Sequence, residues 1–123
     1  MELIIRDKTY PLKANFAFLN AIEKTYTQKV DGGMLVDVGL AKAIAGMQEA
    51  GDIRCLVDIL LALNSSQNPR LSKAELENWL EEDCEDVEAL CAEVIGFLSR
   101  ANVCRMRLKK LGLIKDEPQT VQA

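Results

Sequence analysis

The chain has 123 residues and contains no histidine. That absence removes the commonest general base, the commonest metal ligand and the side chain that titrates near neutral pH. The sequence also lacks a G-x-x-x-x-G-K-[ST] phosphate loop, and its acidic stretch lacks the D-x-[DN]-x-[DN]-G order of a calcium loop. We therefore expect no catalytic, cofactor-binding or metal-binding residues, and a protein that acts through its surfaces.

Long apolar segments are absent as well. The longest runs, such as residues 59–63, stop far short of the 18 residues of a membrane-spanning helix. Glu2, Arg6 and Asp7 place charges in the N-terminal stretch in a pattern that a signal peptide does not have. The net charge of −4, from 15 basic and 19 acidic residues, opposes binding to nucleic acid. We expect neither a membrane nor a nucleic acid as a partner.

The four cysteines, Cys55, Cys84, Cys91 and Cys104, include no C-x-x-C pair. Without histidine, a structural zinc site would need all four, spread at intervals of 29, 7 and 13 residues. Cys84 and Cys91 on one helix would lie about 10 Å apart along its axis, too far for a disulfide. We expect four reduced thiols, as in a reducing cytosol.

The sequence does contain ample apolar material, 49% of residues, which is enough for one core. We predict a mainly α (α+β) domain over residues 1–114. In it, a short β-hairpin at 1–13 packs on a bundle of about five helices at 15–111. The polar tail at 115–123 contains Pro118 and is expected to be flexible.

Alternation of apolar and polar residues predicts the hairpin. A turn at Asp7-Lys8 would pair Ile5 with Tyr10 and Leu3 with Leu12 on one face. We expect the hairpin to be a contact element, because its first-strand edge could accept another strand or helix. The alternative is that the hairpin only covers the core.

Helical periodicity predicts a first helix at about 15–29, capped by Asn15, and a second at about 35–49, with a break at 31–33 between them. Gly39 and Gly46 in the second helix would let a neighbouring backbone approach closely.

The third predicted helix, at 53–63, is apolar on nearly every side, which indicates a place at the centre of the core. A polar loop at 64–69 follows. The fourth helix starts with a capping box, Ser72 with Glu75, flanked by the hydrophobic staple of Leu71 and Leu76, and ends near residue 83.

Apolar residues at alternating steps of three and four predict one long last helix. These residues would form a continuous apolar stripe along it, the seam, about 37 Å long. We expect this seam to be filled from within the chain, and a coiled coil between two copies is the alternative. Gly112 then occupies the position of a left-handed cap. The seam consists of Val87, Leu90, Val94, Phe97, Ala101, Cys104, Leu108 and Leu111.

Acidic and basic residues are segregated along the last third of the chain. Residues 75–93 include nine acidic side chains and no basic one, and residues 94–115 include six basic side chains and no acidic one. Acids at a helix start and bases at its end stabilise the helix dipole, which is one interpretation. The other is electrostatic pairing, either head to tail between copies or with a partner of opposite charge.

The order of the predicted strands and helices, with the spacing of their apolar residues, caps and turns, follows the pattern of a known family. The segments that carry the match are residues 1–5, 8–12, 16–19, 23–24, 39–47, 51–63, 71–82 and the long helix from residue 86. They resemble the tail assembly chaperones of long-tailed phages and prophages of Gram-positive bacteria. The resemblance covers about residues 1–114.

This resemblance implies a non-enzymatic protein that binds the long, aggregation-prone tape measure protein and recruits tail tube subunits before the tail polymerises. It implies action in the cytoplasm of the host bacterium and absence from the mature virion. Many such genes also produce a longer form by translational frameshifting. The alternative function is a small acidic intracellular adaptor or antitoxin-like inhibitor that masks one protein partner.

Two surfaces are predicted to contact partners and other copies of the chain. One is the outer edge of the first hairpin strand, which can accept another strand or helix. The other is the basic end of the last helix. The candidate contact residues are Glu2, Ile4 and Arg6 in the hairpin, and Arg100, Arg105, Arg107, Lys109 and Lys110 in the last helix.

Overall fold

The computed structural model describes residues 1–26, 28–29, 35–36, 39–110 and 112. In this part of the chain an N-terminal hairpin precedes six helices, and a second short strand pair lies between the first two. The predicted mainly α class with an N-terminal hairpin is confirmed. The elements are β1 (Glu2–Ile5), β2 (Lys8–Pro11), α1 (Phe16–Tyr26), β3 (Gln28–Lys29), β4 (Leu35–Val36), α2 (Gly39–Gln48), α3 (Ile53–Asn64), α4 (Lys73–Glu82), α5 (Val87–Arg100) and α6 (Asn102–Lys110).

The hairpin turns at Arg6 and Asp7, one residue earlier than predicted. Leu3 pairs with Tyr10, so the predicted register, with Leu3 opposite Leu12, is wrong. Alternation cannot separate these two registers, because they differ by two residues and bury the same face. The turn decides between them: Arg6 and Asp7 have φ angles of 49° and 68°, as in a type I′ turn, whose twist matches the strands.

The first two helices are shorter than predicted. α1 ends at Tyr26 rather than near residue 29, and α2 starts at Gly39 rather than near residue 35. Instead, Gln28–Lys29 and Leu35–Val36 pair as an antiparallel ladder. The Thr25-Tyr26-Thr27 sequence favours this ending, because β-branched and aromatic residues lose side-chain freedom in a helix. The break predicted at 31–33 lies outside the described residues.

α3 lies at the centre of the core, as predicted. It packs against α1, α2 and α4, and eight of its twelve residues are buried. Asp52 caps it by accepting a hydrogen bond from the Arg54 N–H at 3.0 Å. One apolar cluster runs from Leu3 in the hairpin to Leu108 in α6.

Asn64, the last residue of α3, joins three segments. Its amide nitrogen donates to the carbonyls of Pro11 and Pro69, at 3.0 and 3.1 Å, and its amide oxygen accepts from the Leu71 N–H at 2.6 Å. The side chain is completely buried. The prediction that Asn64 starts a polar loop is wrong, because its polar atoms are used inside the protein.

α4 begins as the sequence predicted. Ser72 Oγ accepts a hydrogen bond from the Glu75 N–H at 3.1 Å and donates to Glu75 Oε1 at 3.0 Å. Leu71 and Leu76 are both buried beside this cap, and Asp83 ends the helix. The predicted N-cap at Ser72 is confirmed, and the Glu75 side chain reaches back to the Ser72 hydroxyl rather than to its backbone N–H. Leu71 and Leu76 are buried at the two positions of the predicted hydrophobic staple.

The predicted single last helix is two helices. α5 ends at Ala101, which has an extended backbone (φ −85°, ψ 125°), and α6 starts at the next residue. A single straight helix over the predicted seam therefore does not form. The break instead keeps both apolar stripes on the core. The buried residues of the two helices are Leu90, Val94, Leu98, Cys104 and Leu108.

The end of α6 agrees with the sequence. Gly112 has a φ of +72°, and its N–H donates to the Lys109 carbonyl at 3.0 Å, which confirms the left-handed cap. The tail at 115–123 lies outside the described residues. Within the part that the structure covers, no helix is both long and apolar enough to span a membrane.

Candidate interaction surfaces

The outer edge of β1 consists of the backbone groups of Glu2 and Ile4. Hydrogen-bonded pairs alternate along an antiparallel ladder. The Leu12 N–H donates to the Met1 carbonyl at 2.9 Å, so the pairs that contain Glu2 and Ile4 are the ones without ladder hydrogen bonds. Their N–H and C=O groups point away from β2, and no third strand pairs with them among the described residues. Pro11 stands opposite Glu2, where the ladder needs no donor.

The side chains at this edge differ in their surroundings. Ile4 is 65% exposed, which is unusual for an isoleucine, and Glu2 is exposed beside it. Arg6 points elsewhere: its Nε lies 3.8 Å from Asp83 Oδ2 at the end of α4, and both side chains are largely exposed. An exposed ion pair of this length contributes little to stability. The structure therefore brings Glu2 and Ile4 together at the edge and separates Arg6 from them.

The face of the hairpin that covers the core is held to α4 by a side-chain hydrogen bond. The Tyr10 hydroxyl donates to Glu75 Oε2 at 2.7 Å, although 65 residues separate the two along the chain. This hydrogen bond raises the pKa of Tyr10 and, together with the one from Ser72, lowers the pKa of Glu75. No local sequence signal connects these residues, so the contact could not be predicted. One face of the hairpin therefore covers the core, while its edge stays open.

The second predicted surface is the basic end of the chain. Arg105, Arg107 and Lys110 are exposed on α6, and Lys109 is half-buried. Arg100 is exposed too, but it belongs to the last turn of α5, before the break at Ala101. The break therefore separates Arg100 from the four cations of α6.

Met106 lies in the middle of the α6 cations and is 73% exposed. It is not among the residues that the sequence predicts for this surface. The sequence pattern could have indicated its exposure. Cys104 and Leu108, four residues apart, lie on the buried face of α6, so Met106 between them lies on the opposite face. Met106 lines two adjoining grooves. One also contains Leu19, Leu40 and Val103, and the other contains Arg105 and Lys110.

A third groove, which we call the α5 groove, lies between the α2–α3 turn and the start of α5. Its volume is about 420 Å³. Its apolar wall consists of Met47, Ile53, Val87 and Cys91, and Asp52 and Glu88 stand at its rim. Arg54 holds the pKa of Asp52 below its usual range by hydrogen bonding.

All nine acidic residues between 75 and 93 are exposed. One of them caps a helix with its side chain: Asp86, whose Oδ1 accepts from the Ala89 N–H at 3.0 Å. Glu75 and Glu88 lie in the first turns of α4 and α5, where a negative charge stabilises the helix dipole. The helix-dipole interpretation of the sorted charge therefore applies to these three acids, and the other six contribute to an acidic surface.

A family model described as "Phage tail assembly chaperone protein, TAC" matches residues 2–112. The chain belongs to the phage tail assembly chaperone family. The matched region spans the hairpin, the six helices and every candidate contact residue of this tail assembly chaperone. No curated protein and no solved structure matches the chain. The family assignment confirms the resemblance seen in the sequence and supports a role in tail assembly.

The cysteines of this chaperone are free thiols. Cys55 and Cys104 are buried, and Cys84 and Cys91 are half-buried. Burial raises the pKa of Cys104 to about 11 and also raises that of Cys91. Such thiols hold little of the nucleophilic thiolate at neutral pH. Among the described residues, no three His, Cys, Asp or Glu side chains cluster as metal ligands would.

Proposed function

We propose that this chaperone binds the tape measure protein of its phage and recruits tail tube subunits before the tail polymerises. The action is non-enzymatic, takes place in the cytoplasm of the host bacterium and leaves the chaperone out of the mature virion. The match of residues 2–112 to the tail assembly chaperone family carries this proposal. It favours tail assembly over the alternative of an adaptor or antitoxin-like inhibitor.

The open edge of β1 is the proposed contact with the tape measure protein. An extended segment of that protein would add to the hairpin as a third strand, bonded to the outward backbone groups of Glu2 and Ile4. Ile4, exposed beside those groups, would supply an apolar contact. Strand addition depends mainly on backbone hydrogen bonds, which suits a chaperone that must bind several segments of a long partner.

Co-expression tests the proposal. The chaperone, with an affinity tag at its C-terminus, is produced together with the tape measure and tail tube proteins encoded in the same phage genome. Wild-type chaperone is expected to retain the tape measure protein on the affinity resin and, through it or beside it, the tube protein. Absence of both proteins from the eluate would contradict the proposed function.

A matched pair of proline substitutions tests the edge. Ile4 and Thr9 face each other at a position without ladder hydrogen bonds, so proline at either leaves the ladder intact. Ile4→Pro removes a donor from the open edge of β1 and is expected to reduce capture of the tape measure protein at least tenfold. Thr9→Pro removes a donor from the other edge and should leave capture unchanged. Equal effects of the two variants, at equal thermal stability, would refute the edge contact.

A further inference from the structure

Met106 is the most exposed large apolar side chain in the described part of the chain. Arg105, Arg107 and Lys110 lie beside it on α6, and we call these four residues the α6 face. We propose that the α6 face binds an acidic amphipathic helix of a partner protein. Apolar side chains of that helix pack on Met106, and its carboxylates pair with the three cations. This inference goes beyond the proposed function, which assigns no partner to α6.

A groove of about 360 Å³ beside Met106 gives the partner helix an apolar floor. Leu19 of α1 and Leu40 of α2 line it together with Val103 and Met106. Because Val103, Met106 and Lys110 are at i, i+3 and i+7 of α6, the groove follows that helix for about 10 Å. Partner helices that lie in grooves insert apolar side chains at the same spacing. The shape therefore suits a helix that lies along α6.

The cations of the α6 face are available to a partner. Arg105, Arg107 and Lys110 form no ion pair within the part of the chain that the structure describes. Among the described residues that line the two grooves beside Met106, Glu23 is the only acid, so the face is positively charged. An arginine side chain can donate two parallel hydrogen bonds to one carboxylate. The charge therefore selects a partner with exposed acidic side chains.

A protein fits this face better than a nucleic acid does. The whole chain carries a net charge of −4 and α6 contributes +4, so the other residues carry −8. A nucleic acid is charged along its whole length and would meet this negative surface beyond α6, which is only about 14 Å long. A short acidic helix can stay on the face. Methionine and arginine are also enriched at interfaces between proteins.

Binding of a designed peptide tests the inference on the purified chaperone. The probe is a fluorescent helical peptide of about 14 residues, with leucine along one face and glutamate on the other. A scrambled peptide of the same composition, without an apolar face, is its control. Fluorescence anisotropy at low salt is expected to show affinity for the amphipathic peptide about tenfold or more above that for the scrambled one. The affinity should fall as salt is added.

Two matched pairs of variants locate the site. Met106→Glu is expected to weaken peptide binding about tenfold or more. Phe16→Glu makes the same change at a position that is 71% exposed and lines neither groove, and it should leave binding unchanged. Arg107→Glu is expected to act like Met106→Glu, whereas Arg70→Glu, at an exposed position on another part of the surface, should have little effect. Circular dichroism of each variant shows whether it is folded.

Several outcomes would overturn the inference. Equal binding of the two peptides, or equal effects within a matched pair of folded variants, would remove the site. An oligouridine of about 20 nucleotides that binds more tightly than the peptide would assign the face to a nucleic acid. Smaller species for Met106→Glu than for Phe16→Glu in sedimentation velocity would assign it to a second copy of the chain. None of these measurements uses the tape measure protein, so failure here is distinguishable from failure of the proposed function.

Discussion

Single polar side chains connect parts of this chaperone that are distant in sequence. Asn64 bonds to the ends of the hairpin and of the loop before α4, and Tyr10 bonds to the cap of α4. Local signals identified the helix caps Asn15 and Ser72, because a cap and its target lie within three residues. They did not identify the long-range bonds, whose partners only the folded chain brings together.

Removal of the Asn64 amide is expected to be costly. Asn64→Ala leaves the Pro11 and Pro69 carbonyls and the Leu71 N–H without their partner, and unsatisfied buried groups cost about 1–3 kcal/mol each. We expect a loss of about 2–4 kcal/mol in the free energy of unfolding, measured with urea. Arg70→Ala, at an exposed position in the same loop, is the control and should change stability by no more than about 0.5 kcal/mol. Equal stability of the two variants would contradict this role of Asn64.

The bond between Tyr10 and Glu75 predicts a pH effect. The pKa of Glu75 is lowered from its ordinary value of 4.5, first by the hydrogen bond from Tyr10 and then by that from Ser72. A lowered pKa in the folded state stabilises the protein above the unfolded-state pKa, and this stabilisation is lost as the pH falls through the folded-state pKa. Tyr10→Phe should raise the pKa of Glu75 towards its ordinary value, as followed by NMR titration of the carboxyl carbon. An unchanged titration curve in this variant would show that the hydrogen bond has no such effect.

At the scale of elements, apolar periodicity identified the helices but misplaced several ends. The hairpin register was wrong because alternation fixes only which face is buried, and the last helix was wrong because a continuous seam does not reveal a bend. The ends of α1 and α2 were wrong because Gln28–Lys29 and Leu35–Val36 pair as strands, and helical periodicity does not reveal such a pairing. Helix positions defined by strong caps, at α3 and α4, were right.

The small residue at the start of α2 is needed for close packing against α1. A Cβ atom on Gly39 would lie 2.7 Å from the Glu23 Cα and 2.8 Å from the Ile22 carbonyl oxygen, and neither backbone atom can move independently. Gly39→Ala is therefore expected to cost about 1–3 kcal/mol by overpacking. In contrast, the prediction of a close backbone approach at Gly46 was wrong, because the neighbour there is the side chain of Cys55.

Gly96 in the interior of α5 is the matched control for this substitution. Its nearest neighbour would be the flexible end of Arg100, at 3.5 Å. Gly96→Ala should stabilise the protein by about 0.5–1 kcal/mol through helix propensity alone. Thermal unfolding of both variants measures the two effects, and opposite signs are expected. A stabilising Gly39→Ala would contradict the observed approach of α1 to α2.

The packing of α5 decides which of two neighbouring apolar residues matters more for stability. The sequence placed Phe97 on the apolar seam, but Leu98 is completely buried and Phe97 is only half-buried. Leu98→Ala is expected to cost about 2–5 kcal/mol in chemical denaturation. Phe97→Ala should cost less, despite the larger side chain. The reverse order would contradict the face of α5 that the structure turns to the core.

At the scale of the whole molecule, the proposed function uses surfaces rather than a catalytic site. The sequence identified the basic end of the chain and the hairpin edge, because charge and alternation are visible along a sequence. It did not identify Met106 or the α5 groove, because exposure and concavity arise only when distant elements pack.

The soluble fraction of the tape measure protein tests the central claim most directly. The tape measure protein is expressed in bacteria alone, with the wild-type chaperone, or with the Ile4→Pro variant, and is measured in supernatant and pellet after centrifugation. We predict that the wild-type chaperone moves most of it into the supernatant and that the variant leaves most of it in the pellet. A tape measure protein that is equally insoluble with and without the chaperone would contradict the account.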